Sequence, residues 1–141
     1  MEDSISPVHY KRVLVVDDTQ IDRYVAERNI KRHHFAEEVI LKESARSALE
    51  YLNSLADTPE ELPTFIFLDI RMPEIDGFGF LMEYEKLPEV IRLHCIIVML
   101  SSSLDQNDHE RARNNRYVNN FFNKPLNKEQ LDKITPPTGT H

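Results

Sequence analysis

The sequence predicts a parallel α/β sheet assembled from five βα units, and two observations predict it. Five short apolar runs recur along the chain, rich in β-branched and aromatic residues, and three are nearly continuous instead of alternating. Continuous runs suit strands covered on both faces, as the strands of a parallel sheet are. Between the runs lie segments of helical length, and strands that alternate with helices imply right-handed βα crossovers.

The first run is Val13–Val16, followed by Asp17-Asp18 and a segment where Ile21 and Val25 follow helical spacing only partly. Val39–Leu41 is the second run. After it Ala45, Ala48, Leu49, Leu52, Leu55 and Ala56 keep helical spacing closely. Asn53–Pro63 is the one longer connection and reads as a surface loop or an extra helical turn. The third run, Phe65–Leu68, leads to a Met-Pro step, an Asp-Gly turn and a short helical pattern of Phe78, Leu81 and Met82. Cys95–Leu100 is the fourth run. The segment Asp105–Asn115 behind it is helix-compatible with almost no apolar face, so it reads as a solvated helix held by its ends or as a mobile partner surface. Tyr117–Phe122 is the fifth and weakest run, and a short last helix is expected near Asn127–Ile134. Residues 1–10 read as an arm, 11–134 as one domain and 135–141 as a frayed tail.

Composition narrows the function classes. A chain of 141 residues fits one domain with a substantial core. At 40% hydrophobic and 29% charged it has an ordinary globular balance. The net charge of −7 argues against a protein that grips nucleic acid or an anionic membrane by itself. One cysteine, Cys95, rules out a disulfide framework or a cysteine-rich zinc site, and within its apolar run it reads as a small buried side chain. The N-terminal MEDSISPVHYKR has no apolar core of the kind a signal peptide needs, and no run reaches the length of a membrane span. The expectation is a reduced, soluble, cytoplasmic domain.

The polar residues fall where such a sheet would use them. Four runs end in chemically capable side chains: Asp17-Asp18, Asp69, Ser101-Ser102-Ser103, and Asn123-Lys124-Pro125. Ligands of open parallel sheets bind beyond the carboxyl ends of the strands. Taken singly, each residue has a bland reading. Asp17-Asp18 could be a helix cap as readily as a metal site. Asp69 could be a turn residue, and Lys124 a solvated lysine. Ser103 and Gln106 have the form of a capping box, which assigns Ser103 to the cap and Ser101 to the chemistry. The joint placement makes the bland readings improbable together.

Clustered carboxylates repel and need a cation among them. Hard oxygen ligands without a nearby Cys/His set point to Mg²⁺. A carboxylate can itself be the nucleophile and form an acyl phosphate, whose oxygens then need a metal, an ammonium and a hydroxyl or backbone N–H. Asp17 and Asp18 with Mg²⁺, Lys124 and Ser101 would fill those places, leaving Asp69 to attack. A buried-looking strand that ends on a carboxylate is then rigid support for a phosphoacceptor.

From Lys11 to Ile134 the chain resembles a response-regulator receiver domain of two-component signalling. VLVVDD supplies the acidic pair, LDIRMPEIDG the phosphorylation motif around Asp69, VMLSSS the hydroxyl position Ser101, and NKP the lysine Lys124. The resemblance implies a doubly wound, flavodoxin-like (βα)5 fold with strand order 2-1-3-4-5. It also implies Mg²⁺ on Asp17, Asp18, Asp69 and the Arg71 carbonyl, with phosphoryl stabilisation by Lys124, Ser101 and Ser102. Ser101 and Phe121 would switch between two states, although Phe121 also reads as plain core. Arg71 and Ser103 would tune phosphoryl lifetime, the Arg71 side chain either shielding the acyl phosphate or pointing to solvent. The Lys124–Pro125 bond is expected to be cis. His33, His34, His94, His109 and His141 show no ligand spacing to this site.

The implied partners are a histidine kinase or histidine phosphotransfer protein as donor and an unknown downstream protein target, with no nucleic acid or membrane. With 16 residues after Pro125, the resemblance implies a stand-alone receiver, a switch and not a turnover enzyme. Two other classes compete. A receiver-like interaction module would not take phosphate. A haloacid-dehalogenase-type phosphohydrolase would typically carry a second Asp two residues after the nucleophile, where this chain has Arg71.

Overall fold

A computed structural model describes residues 10–102 and 105–134. Five parallel strands, β1 (Tyr10–Val16), β2 (Ala36–Lys42), β3 (Phe65–Asp69), β4 (Ile96–Ser101) and β5 (Val118–Asn123), form one sheet in the order β2-β1-β3-β4-β5. The helices are α1 (Gln20–Arg32), α2 (Ala45–Ser54), α3 (Gly77–Tyr84), α4 (Glu89–His94), α5 (Gln106–Arg113) and α6 (Lys128–Lys133). A single 3₁₀ turn at Pro59–Glu61 supplies the extra turn expected between Asn53 and Pro63.

Alternation of side chains across the pleat divides the core into two layers. Leu14, Val16, Ile66, Leu68, Ile97 and Met99 face one way and pack with Ala48 and Leu52 of α2, Phe80 and Tyr84 of α3, and Ile91 of α4. Val13, Val15, Phe65, Phe67, Val98 and Leu100 face the other way, against Ala26 and Ile30 of α1 and Leu131 of α6. Because both faces are covered, β3 is buried at every position, which is why its sequence is a continuous apolar run. Phe35, in the turn before β2, closes the far end of the second layer with Tyr10 and Phe65 at ring separations near 5 Å.

The structure corrects several local expectations. β1 starts at Tyr10, one residue inside the expected arm, while the rest of that arm and the expected tail lie outside the described residues. Helix α4 was not anticipated: it begins after Pro88, spans six residues and buries only Ile91, too short for a period to register. Met82 does not join the apolar face of α3 but stands 69% exposed, since Phe78, Phe80, Leu81 and Tyr84 fill the inward positions. Ile21 is likewise exposed, and α1 seats itself through Ala26 and Ile30. The cap of α5 is Asp105, whose carboxylate accepts from the Asn107 N–H, and not Ser103, which lies outside the described residues. Asp18 is no helix cap either, since Thr19 occupies that position of α1. Cys95 is buried just before β4, and burial pushes its thiol up to about 12, as befits an inert packing residue. The Lys124–Pro125 peptide is cis.

Candidate functional site

The carboxyl edge of the sheet gathers the predicted residues because β1 and β3 are neighbours. Val16 is paired with Leu68, so Asp17 and Asp69 emerge side by side. Both are buried, at 3% and 4% exposure, whereas Asp18 is exposed. Asp17 is held by its surroundings: its N–H donates to the Lys42 carbonyl, and its Oδ1 accepts from the Thr19 N–H at 2.9 Å. The Arg23 guanidinium donates to the Asp17 backbone carbonyl at 2.8 Å. One carboxylate oxygen from each of Asp17, Asp18 and Asp69 lies within 4.8 Å of the others.

Lys124 reaches this cluster from the end of β5. Its Nζ stands 2.7 Å from Asp17 Oδ2, 2.9 Å from Asp22 Oδ2 and 3.2 Å from Asp69 Oδ1. Burial by itself would lower the pKa of this ammonium, but hydrogen bonds to Asp17 and Asp22 and the charge of Asp69 hold it above its ordinary value. The Lys124 N–H donates to the Ser101 carbonyl at 2.9 Å, which ties the end of β5 to the end of β4. Ser101 is fully buried and Ser102 exposed.

Asp69 carries the electrostatic conflict of the site. Burial raises its carboxyl to about 6, the nearby Asp17 charge adds to the rise, and Lys124 and the Arg71 N–H oppose it. The Arg71 N–H lies 3.4 Å from Asp69 Oδ1. Behind Asp69, the start of α3 closes the segment where the sequence suggested an Asp-Gly turn: the Gly77 N–H donates to the Ile70 carbonyl at 2.8 Å, and Asp76 caps α3 by accepting from the Gly79 N–H. Gly77 is required by proximity, because a Cβ there would stand 2.7 Å from the Asp69 carbonyl oxygen.

Two participants escaped sequence reasoning. Asp22 lies in the first turn of α1, and its position five residues after Asp17 on a helix starting at Gln20 was the available signal. Asp108 is the second. It is a buried carboxylate on α5 that accepts from the Arg71 guanidinium, a partner that neither reading of Arg71 included. Phe121 is half-buried, packed against the core edge with the His109 ring 4.3 Å away.

Comparison with known proteins decides the family, since the response regulator receiver domain profile matches residues 13–135. The chain belongs to the response regulator receiver domain family. A receiver is a signalling switch of two-component systems, where it works with histidine kinases or phosphotransfer proteins. This receiver is 30% identical over 122 residues to the probable methanogenesis regulatory protein FilR2 of Methanothrix harundinacea, covering 86% of this chain and 76% of that one. It is 40% identical over 85 residues to the two-component response regulator ORR13 of Oryza sativa subsp. japonica, covering 60% of this chain and 64%, just under two thirds, of that relative. Among solved structures, a two-component response regulator from Cytophaga hutchinsonii superposes with a TM-score of 0.83 at 29% identity, covering 89% of this receiver and 93% of that chain. The Mg²⁺ complex of the receiver domain of the Arabidopsis thaliana histidine kinase CKI1 superposes at 0.69 with 29% identity, covering 80% and 82%. The acidic cluster of this receiver therefore sits in a fold in which a divalent cation is bound elsewhere. Among the described residues, no helix is long and apolar enough to cross a membrane.

Proposed function

We propose that this receiver accepts a phosphoryl group on Asp69 from a phosphohistidine of a histidine kinase or phosphotransfer protein, and that the acyl phosphate switches the binding of a downstream protein. The observation that supports this most is Asp69 itself, a carboxylate buried at the end of a fully buried strand with an ammonium 3.2 Å away. In the transfer, a carboxylate oxygen of Asp69 attacks phosphorus and a P–O bond forms. The P–N bond of the phosphohistidine breaks, and its electron pair leaves on the imidazole nitrogen of the donor. The family transfer is not turnover catalysis, because the product is the modified protein.

The donor set fits Mg²⁺ in its chemistry. Lys124 is shared by three carboxylates, Asp17, Asp22 and Asp69, and Asp18 adds a fourth beside Asp17 and Asp69, which leaves an excess of negative charge on hard oxygens. Asp17, Asp18, Asp69 and the Arg71 carbonyl would hold the ion, which supplies charge neutralisation for the phosphoryl oxygens. Lys124 stays charged and compensates one phosphoryl oxygen, while Ser101 and Ser102 offer hydroxyl and backbone donors at the end of β4. Phe121, half-buried at the groove between α5 and β5, would follow Ser101 between two states. Arg71 is the lifetime-tuning candidate.

Intact-protein mass after incubation with acetyl phosphate, with and without Mg²⁺, tests the reading alongside Asp69→Asn. A Mg²⁺-dependent gain of one phosphoryl group that the variant lacks is expected. A folded, Mg²⁺-binding protein that gains nothing from acetyl phosphate or from a kinase donor would instead be an interaction module.

A further inference from the structure

Asp108 is a buried charge that phosphoryl transfer does not use. It sits in the first turn of α5 at 3% exposure, and among the described residues the only cation paired with it is Arg71. Arg71 in turn is half-exposed and touches two elements at once. Its backbone N–H faces Asp69 Oδ1, while its side chain crosses to Asp108.

Among the described residues, the other side-chain attachments of Gln106–Arg113 that the structure shows are mostly polar or aromatic. Only Ala112 enters the core as an apolar side chain. The Arg111 guanidinium lies 3.9 Å from the Phe78 ring centroid, in the first turn of α3, and the His109 ring meets Phe121 of β5. A helix seated this way depends on its charge pairing. A buried ion pair adds little net stability, yet removing one partner strands the other charge without compensation. Such a contact is therefore two-state: Asp108 is either paired and buried or unpaired and driven toward water.

We propose that Arg71 and Asp108 form a latch between the phosphoacceptor and α5. Phosphorylation of Asp69 draws the Arg71 guanidinium off Asp108, and Asp108 then carries the start of α5 outward. The step rests on the reading of Asp69 as phosphoacceptor. Its driving force is charge: a phosphoryl group brings about −1.5 to −2 in place of a single carboxylate charge, with oxygens that match a guanidinium fork. Asp108 is a positioning residue in this scheme, because it acts through Arg71 and touches no reacting atom.

The test is amide hydrogen exchange across Gln106–Arg113, with Mg²⁺ and beryllofluoride as the phosphoryl mimic and ¹⁹F NMR reporting that the mimic is bound. In the unsubstituted protein, loading accelerates exchange in α5 by about fivefold or more. Asp108→Asn keeps the shape of the side chain but leaves no charge to strand, so loading there leaves α5 exchange nearly unchanged. Because coupling is reciprocal, the same variant binds beryllofluoride about fivefold tighter, as Arg71 is no longer held elsewhere. That gain disappears in the Arg71→Ala/Asp108→Asn double variant, whereas a general electrostatic effect of losing Asp108 would persist. The latch is overturned if loaded Asp108→Asn retains the full α5 response, or if the tighter binding survives in the double variant. An α5 that does not respond in the loaded, unsubstituted protein also overturns it, while leaving the phosphoacceptor standing. A protein with no ¹⁹F signal of bound mimic and no phosphoryl mass gain would remove the phosphoacceptor reading, and the latch with it.

Discussion

As the proposed phosphoacceptor, Asp69 would have to be ionised to attack phosphorus, yet it stands where ionisation is costly. Its folded carboxyl titrates near 6, above the ordinary value, chiefly because burial disfavours the anion. A carboxyl raised in the folded state binds its proton more tightly there than in the unfolded chain. Stability from this group is therefore complete at pH values below its unfolded pKa and is lost as pH rises through about 6. With a chelator present, Asp69→Asn is expected to be more stable than the unsubstituted protein at pH 7.5, by on the order of 2 kcal/mol. The difference should close toward pH 4 in urea titrations; a gain that stays flat with pH would count against burial as the cause. Gly77 is the other residue whose identity is dictated by its neighbours. Its φ is not positive, so conformational freedom is not the reason for glycine. The reason is space, since a methyl there would meet the Asp69 carbonyl at 2.7 Å and the Ile70 Cα at 2.9 Å, both backbone. Gly77→Ala should cost about 1–3 kcal/mol and slow phosphoryl uptake, read by denaturation and intact mass. The Asp-Gly turn expected from the sequence is instead the start of α3, with Asp76 as its cap and Gly77 as its first residue, and the approach of Gly77 to the back of Asp69 left no mark in the sequence.

The helices divide by how they are held. Helix α2 presents Ala45, Ala48 and Leu52 to the core, and its spacing in the sequence was correspondingly clear. Leu52→Ala should cost about 2–5 kcal/mol, because a fully buried side chain leaves a cavity. Leu93→Ala on α4, where the side chain is 79% exposed, should change stability by less than about 0.5 kcal/mol. Equal effects in urea melts would contradict the assigned faces. Helix α5 shows why a nearly apolar-free segment can still be ordered: its inward positions are Asp108 and Ala112, and an ion pair stands where leucines would be expected. Hydrophobic periodicity carries no signal for such a helix, so sequence reasoning left it undecided between a solvated rod and a partner surface. The short β5 is half-buried along most of its length, as an edge strand is, and its apolar run was the weakest of the five.

For the whole molecule, the strand order brings four separate strand ends to one edge, and the proposed Mg²⁺ would link its own binding to folding. Mg²⁺ that binds only the folded chain stabilises it by about 2.7 kcal/mol at a hundredfold excess over Kd. Thermal unfolding should show this rise, and Asp17→Asn should shrink it; a rise independent of Asp17 and Asp69 would place the ion elsewhere. The sequence by itself determined the βα alternation and the residues at the strand ends. These follow from hydrophobic runs and chain order, which are local properties of the polymer. Tertiary structure alone decided that Lys124 is shared with Asp22, 102 residues away, and that Arg71 is claimed by Asp108, 37 residues away. It also decided that burial lifts Asp69 to about 6. The pairing of a charge and the cost of desolvating it depend on what surrounds it in space, and that neighbourhood exists only once the sheet has formed.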